Sequence, residues 1–213
     1  MRSADVLKEI QESGIIAILR GLAEKHLLKT VGALVQANIR AIEITFNTPG
    51  AKEAIALVKK EFGDSVVVGA GTVINPIYAS QAIGSGAEFI LAPNMDAEVI
   101  ALVHKHGKLM VPGAFTPTEV LLCYTMGCNV VKLFPAGSVG PRYIKELRGP
   151  FDHVDLIPVG GVDLSNVGEF IKAGAIAAGV GGNLTRKDLV ETEDYQGITT
   201  LAQSFLQEIR KGR

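Results

Sequence analysis

Eight short apolar runs punctuate the chain, beginning near Ile15, Ala41, Val66, Glu88, Leu109, Val130, Val154 and Ile176. Their starts lie about 20 to 26 residues apart, the length of one strand, one helix and two short loops. Several runs are apolar almost throughout, as in Ile15–Leu19 and Val66–Val68. Such continuity suits parallel strands covered on both faces better than half-exposed hairpins. The segments between them repeat apolar positions at three-and-four spacing. In residues 24–37, Leu27, Leu28, Val31, Leu34 and Val35 form one stripe. Residues 51–62 and 97–104 repeat the pattern, and Gly63, Gly86, Gly107 and Gly127 follow helical segments where left-handed C-caps belong.

Eight strand–helix units predict an α/β protein, a (β/α)8 TIM barrel with a short extra helix over residues 3–12, as a single domain over residues 1–213. The competing topology is a doubly wound open sheet. Gly69-Ala70-Gly71 superficially invites it, but the dinucleotide fingerprint wants a third glycine where Ile74 stands. Even spacing and the count of eight favour closure.

Composition narrows the function classes. The 213 residues are 47% hydrophobic and 20% charged, enough to bury a sizeable core. A net charge of −1, from 21 basic and 22 acidic residues, gives no electrostatic ground for nucleic acid or an anionic membrane as partner. No apolar run approaches the roughly 18 residues of a membrane helix, and charges scattered over the first 14 residues do not make a secretory signal. A cytoplasmic protein is expected. Cys123 and Cys128 read as small core residues rather than a disulfide. His26, His104, His106 and His153 read as surface residues, and no metal-ligand spacing appears.

In a barrel the active site lies at the C-terminal ends of the strands. Charges inside apolar runs are then the most informative residues, because an unpaired buried charge is costly. Glu43 sits within Ala41–Thr45 and Lys132 within Val130–Pro135. An amine pressed into an apolar wall loses preference for its ammonium form and can attack a carbonyl to make a Schiff base. A buried carboxylate beside it can shuttle the protons that imine chemistry requires. The plain alternative is a structural ion pair between the two. Gly160-Gly161 and Gly181-Gly182 close the last two units, where loops of this fold commonly bind phosphate through backbone N–H groups beside a helix N-terminus. Tight turns needing positive φ would also explain them. Arg20 ends the first run and offers a bidentate anion grip or a plain rim charge. Thr72 offers a hydroxyl, or a helix N-cap.

Glu43-Ile44-Thr45-Phe46-Asn47-Thr48-Pro49, Gly69-Ala70-Gly71-Thr72-Val73, Ala92-Pro93-Asn94, Pro112-Gly113-Ala114, Val131–Ala136 and Gly160-Gly161-Val162 occur in one order. This set, spanning about Ile15 to Thr185, resembles the family of 2-keto-3-deoxy-6-phosphogluconate (KDPG) and 4-hydroxy-2-oxoglutarate (KHG) aldolases. The resemblance implies a class I aldolase on a (β/α)8 barrel. It would need no metal or other cofactor beyond the covalent Schiff base, and would form a homotrimer that cleaves a 2-keto-3-deoxy acid phosphate to pyruvate and glyceraldehyde 3-phosphate. Carried over by motif, Lys132 is the Schiff-base lysine and Glu43 the proton-transfer residue. Thr72 helps hold the pyruvate carboxylate, Pro93 and Phe134 line the pocket, and Gly160, Gly161, Gly181 and Gly182 cradle the phosphate. Three positions depart from the phosphogluconate pattern: Asn47 replaces a carboxylate-clamping arginine, Val159 a threonine, and Asn183 a serine. Arg20 would then supply the missing guanidinium. The combination of Arg20, Asn47 and Val159 resembles the phosphogalactonate-cleaving branch. The function carried as an alternative is a phosphate-binding barrel of other activity, such as a sugar-phosphate isomerase. An enzyme for unphosphorylated 4-hydroxy-2-oxoglutarate is a further possibility.

Overall fold

The computed structural model describes residues 1–213. Helix α1 (Ser3–Ser13) precedes a regular alternation of β1 (Ile15–Leu19), α2 (Glu24–Gln36), β2 (Ala41–Thr45), α3 (Ala51–Phe62), β3 (Val67–Gly71), α4 (Pro76–Gly84), β4 (Phe89–Leu91) and α5 (Ala97–Lys105). It continues through β5 (Leu109–Val111), β6 (Gly113–Ala114), α6 (Pro117–Thr125), β7 (Val130–Leu133), α7 (Gly140–Arg148), β8 (Asp155–Pro158), α8 (Val167–Lys172), β9 (Ala178–Val180), α9 (Lys187–Glu191) and α10 (Tyr195–Gly212). All strand pairs are parallel, in a six-stranded sheet ordered β5-β4-β3-β2-β1-β9 and a three-stranded sheet ordered β6-β7-β8. The architecture is a mixed α/β fold built on a curled parallel sheet.

The fifth apolar run supplies two strands rather than one. Pro112 separates β5, which pairs with β4, from β6, which pairs with β7. Proline has no N–H to give to a ladder, but its carbonyl accepts from the Lys132 N–H at 2.8 Å. A parallel bridge between Val159 and Gly179 links the segment after β8 to β9.

Several helices begin at side-chain caps. Asn75 Oδ1 accepts from the Tyr78 N–H at 2.8 Å and Asp96 Oδ1 from the Val99 N–H at 2.9 Å. Thr116 and Glu119 close a reciprocal capping box. The glycines expected as left-handed caps adopt positive φ: Gly63 52°, Gly86 98°, Gly107 64° and Gly127 87°.

Buried apolar side chains form two clusters. The larger lies between the strands and the surrounding helices. The smaller joins Val6 and Ile10 of α1 to alternate strand positions such as Ile16, Ile18, Val67, Phe89, Leu91 and Val130. Period-two alternation puts Glu43 (two after Ala41) and Lys132 (two after Val130) on this same inner face. Glu88, at the opposite end of β4, is buried against Lys59 Nζ at 3.1 Å and accepts from the Val68 N–H at 3.3 Å. That buried carboxylate is fully engaged.

Candidate active site

Glu43 and Lys132 are 1% and 3% exposed, an unusual depth for charged residues unless they are paired. Neighbouring strands set their level: Glu43 is in register with Ile18 and Gly69, and Lys132 with Gly113 and Ile157. The structural ion pair does not form. Neither side chain lies within salt-bridge distance of an opposite charge, and Glu43 Oε2 is buried with no hydrogen-bond partner. Each instead feels the other at longer range. Burial pushes the Glu43 carboxyl above the usual carboxylate range, against the opposing pull of Lys132 and Arg20. Burial likewise lowers the Lys132 ammonium below the usual lysine value, opposed by Glu43 and assisted by the positive Arg20. Lys132 Nζ stands 4.9 Å from the centre of the Phe134 ring.

Glycines allow close packing around the pair. A Cβ at Gly71 would overlap the Glu43 carboxyl, and one at Gly113 would overlap the Pro93 carbonyl. Thr72, immediately after Gly71, has φ 58°. A β-branched residue in the left-handed region is strained, and its hydroxyl has no protein partner. The N-cap of α4 is Asn75, so Thr72 does not cap that helix.

Both glycine pairs border one cavity of about 240 Å³, together with Arg20, Phe134, Val159 and Asn183. Gly160 and Gly161 have φ of 82° and 75°, so turn geometry alone accounts for their composition. Gly181 and Gly182 do not have positive φ, and a Cβ at Gly182 would meet nothing within 4 Å. Backbone geometry therefore does not require the second pair. The helices that follow, α8 and α9, have only six and five residues, so a helix dipole adds little and local N–H groups are the available donors. Asn183 Nδ2 donates to the Val162 carbonyl at 2.9 Å, tying the two glycine loops together. Gly137 escaped the sequence reading. Its N–H donates to the Gly160 carbonyl at 2.7 Å, and its Cα packs where any side chain on Gly161 would go.

Arg20 is exposed on the cavity rim and forms no ion pair. Its turn is pinned from below: the Gly21 N–H donates to Thr48 Oγ1 at 2.8 Å, and the Thr45 and Thr48 hydroxyls are 3.1 Å apart. Asn47 is exposed on the same β2–α3 turn and makes no side-chain hydrogen bond. One surface assignment is overturned. His26 is 6% exposed, buried where α2 meets α10, with its Nδ1 2.9 Å from the Tyr195 hydroxyl. His104, His106 and His153 are exposed, while Cys123 and Cys128 are free and buried, with thiols pushed up to about 11 and about 12 by desolvation. No helix is long and apolar enough to cross a membrane.

A curled parallel α/β sheet with a buried amine, a buried carboxylate and an adjoining glycine-lined cavity at its strand ends has the form of an enzyme. Comparison with known proteins specifies which kind. The family model for KDPG and KHG aldolase matches residues 6–201, and the chain belongs to that family; it is an aldolase, a carbon–carbon lyase. The chain is 36% identical over 174 residues to 2-dehydro-3-deoxy-6-phosphogalactonate aldolase of Escherichia coli, covering 81% of this chain and 84% of the relative. It is 35% identical over 176 residues to 2-dehydro-3-deoxy-phosphogluconate aldolase of Treponema pallidum, covering 82% and 83%. A solved KDPG aldolase from Legionella pneumophila, with pyruvate captured at low pH as a covalent carbinolamine intermediate, superimposes with a TM-score of 0.84 at 27% identity over 90% of this chain and 92% of that one.

Proposed function

We propose that the chain is a class I aldolase that cleaves a 2-keto-3-deoxy-6-phosphohexonate to pyruvate and glyceraldehyde 3-phosphate, with Lys132 as Schiff-base lysine and Glu43 as proton-transfer residue. The observation that carries this reading is the unpaired burial of both charges on one inner face. A structural ion pair would bring them together, and a non-catalytic barrel has no use for either. The carbinolamine in the Legionella relative supports covalent amine chemistry for the family.

The steps follow from these two groups. Burial raises the share of neutral Lys132, whose Nζ attacks the C2 ketone to form a carbinolamine. Loss of water gives a protonated imine. As the C4 hydroxyl gives up its proton, the C3–C4 bond breaks, its electrons pass to the imine, and glyceraldehyde 3-phosphate leaves. The enamine is then protonated at C3, and hydrolysis releases pyruvate and restores the amine. Glu43 carries the protons in these steps, and its raised affinity for a proton suits both accepting and returning one. The chain itself thus supplies the covalent electron sink.

Thr72, with Pro93 close to Gly113 beside Lys132, bounds the pyruvate end, and Phe134 packs against the amine. Gly160, Gly161, Gly181, Gly182 and Asn183 bound the phosphate end. Arg20 lines that cavity, which favours a grip on the phosphate over the carboxylate role expected from the loss of arginine at Asn47. Val159, buried at the cavity wall, brings no hydroxyl to the distal carbons. With Arg20 and Asn47 it resembles the phosphogalactonate-cleaving branch, and because a wall without a polar contact discriminates weakly between C4 epimers, the enzyme accepts both. We further read the two sheets, joined at Pro112 and by the Val159–Gly179 bridge, as one eight-unit (β/α)8 barrel forming a single catalytic domain. A cytoplasmic homotrimer accords with family membership and with the exposed apolar Ile74, Ile77, Leu121 and Leu122. Lys132→Met tests the mechanism: it should abolish cleavage of either epimer in folded protein, whereas retained cleavage would refute it.

A further inference from the structure

A second cavity, of about 470 Å³, opens beyond the phosphate end of the site, between the β1–α2 turn and the β9–α9 loop. It shares Ile18, Arg20 and Gly182 with the glycine-lined cavity, so the two are contiguous. With the substrate's phosphate in the glycine-lined cavity, as proposed above, this second space is left to another ligand.

Its lining is cationic. Arg20, Lys25 and Lys187 border it, with Glu191 the only acid. Glu191 is already engaged by Lys187 at 3.5 Å, while Arg20 and Lys25 form no ion pair. His26 also lines the cavity. It is buried with Nδ1 against the Tyr195 hydroxyl, and its other ring nitrogen has no protein partner. Two uncommitted cations and a buried imidazole around one recess suit an anion with several acceptor oxygens. The open space at Gly182 leaves room for a ligand to pass from one cavity to the other.

We propose that this recess is a second anion subsite, which takes the outer phosphate of a diphosphate group whose inner phosphate sits in the glycine cradle. The proposal rests on the phosphate reading of that cradle. A diphosphate, free or as the tail of a nucleoside diphosphate, would therefore compete with substrate while making no contact with Lys132. Arg20, on the shared wall, would face both phosphates.

Steady-state inhibition at constant ionic strength and without divalent cations tests this, with orthophosphate, pyrophosphate and ADP as probes. Orthophosphate should compete with substrate through the cradle alone. Pyrophosphate should compete about tenfold more tightly, the scale of one added charge-assisted contact. Lys25→Glu, at an exposed position in the first turn of α2 where an acid is tolerated, should erase that advantage and leave kcat and orthophosphate inhibition unchanged. ADP matching pyrophosphate would identify the diphosphate group itself as the determinant. ADP failing to compete while pyrophosphate does would restrict the subsite to the inorganic anion. Pyrophosphate no tighter than orthophosphate, or an advantage that survives Lys25→Glu, would overturn the second subsite alone. Orthophosphate that fails to compete would contradict the cradle itself.

Discussion

Glu43 and Lys132 come from different sheets, one from the six-stranded and one from the three-stranded array, yet each is the foremost opposite charge in the other's surroundings. Neither finds a closer partner. The pair is held apart, and each charge only partly offsets the other's burial.

That separation has a thermodynamic cost with a definite pH signature. Lys132 has its folded value below the ordinary 10.5, so the unfolded chain binds more protons and stability falls as pH drops from about 10.5 toward the folded value. Glu43 has its folded value above the ordinary 4.5, so stability falls as pH rises from about 4.5 through the folded value. Both penalties act near neutrality. Replacing both charges by apolar residues of similar size in Glu43→Leu/Lys132→Met should therefore stabilise the protein at pH 7 by about 1–4 kcal/mol, with a smaller gain in acid. Denaturant titrations across pH measure it, and a less stable double variant would count against the unpaired burial.

Gly71 is a spacer for the Glu43 carboxyl. Gly71→Ala should push that carboxyl aside and reduce kcat by roughly 10²- to 10⁴-fold, the usual worth of positioned acid–base catalysis. Pre-steady-state turnover measures it, with near-native kcat as the contrary result.

Thr72 holds a strained backbone at φ 58°. Thr72→Gly should relieve that strain and raise stability by up to about 1 kcal/mol, while raising KM for pyruvate in the synthetic direction. A thermal melt and a KM determination on the same sample separate the effects. Loss of both stability and binding would point to a purely structural threonine.

Arg20 distinguishes phosphate from carboxylate recognition. Arg20→Ala should raise KM for the phosphorylated substrate by about 10- to 100-fold, the worth of a charge-assisted contact, and change KM for 4-hydroxy-2-oxoglutarate little. An equal rise for both substrates would return Arg20 to the carboxylate.

Much of this was legible in the chain, for physical reasons. Continuous apolar runs and amphipathic segments followed by glycine mark the alternation, and a charge inside an apolar run announces itself, which is how Glu43 and Lys132 stand out. What escaped depends on contacts between distant segments. His26 looks like a surface residue because its partner, Tyr195, lies 169 positions away. Gly71, Gly137 and Thr48 carry no local mark of their roles, since each matters through what another segment brings to it. The split of the fifth run at Pro112 follows from a change of pairing partner, which periodicity does not encode.

The most direct test of the amine mechanism is reduction with borohydride in the presence of pyruvate, followed by peptide mass spectrometry. A reduced pyruvate adduct on the peptide bearing Lys132, absent from Lys132→Met, is the expected result. Folded protein that yields no adduct, or yields one on a different lysine, would contradict the account.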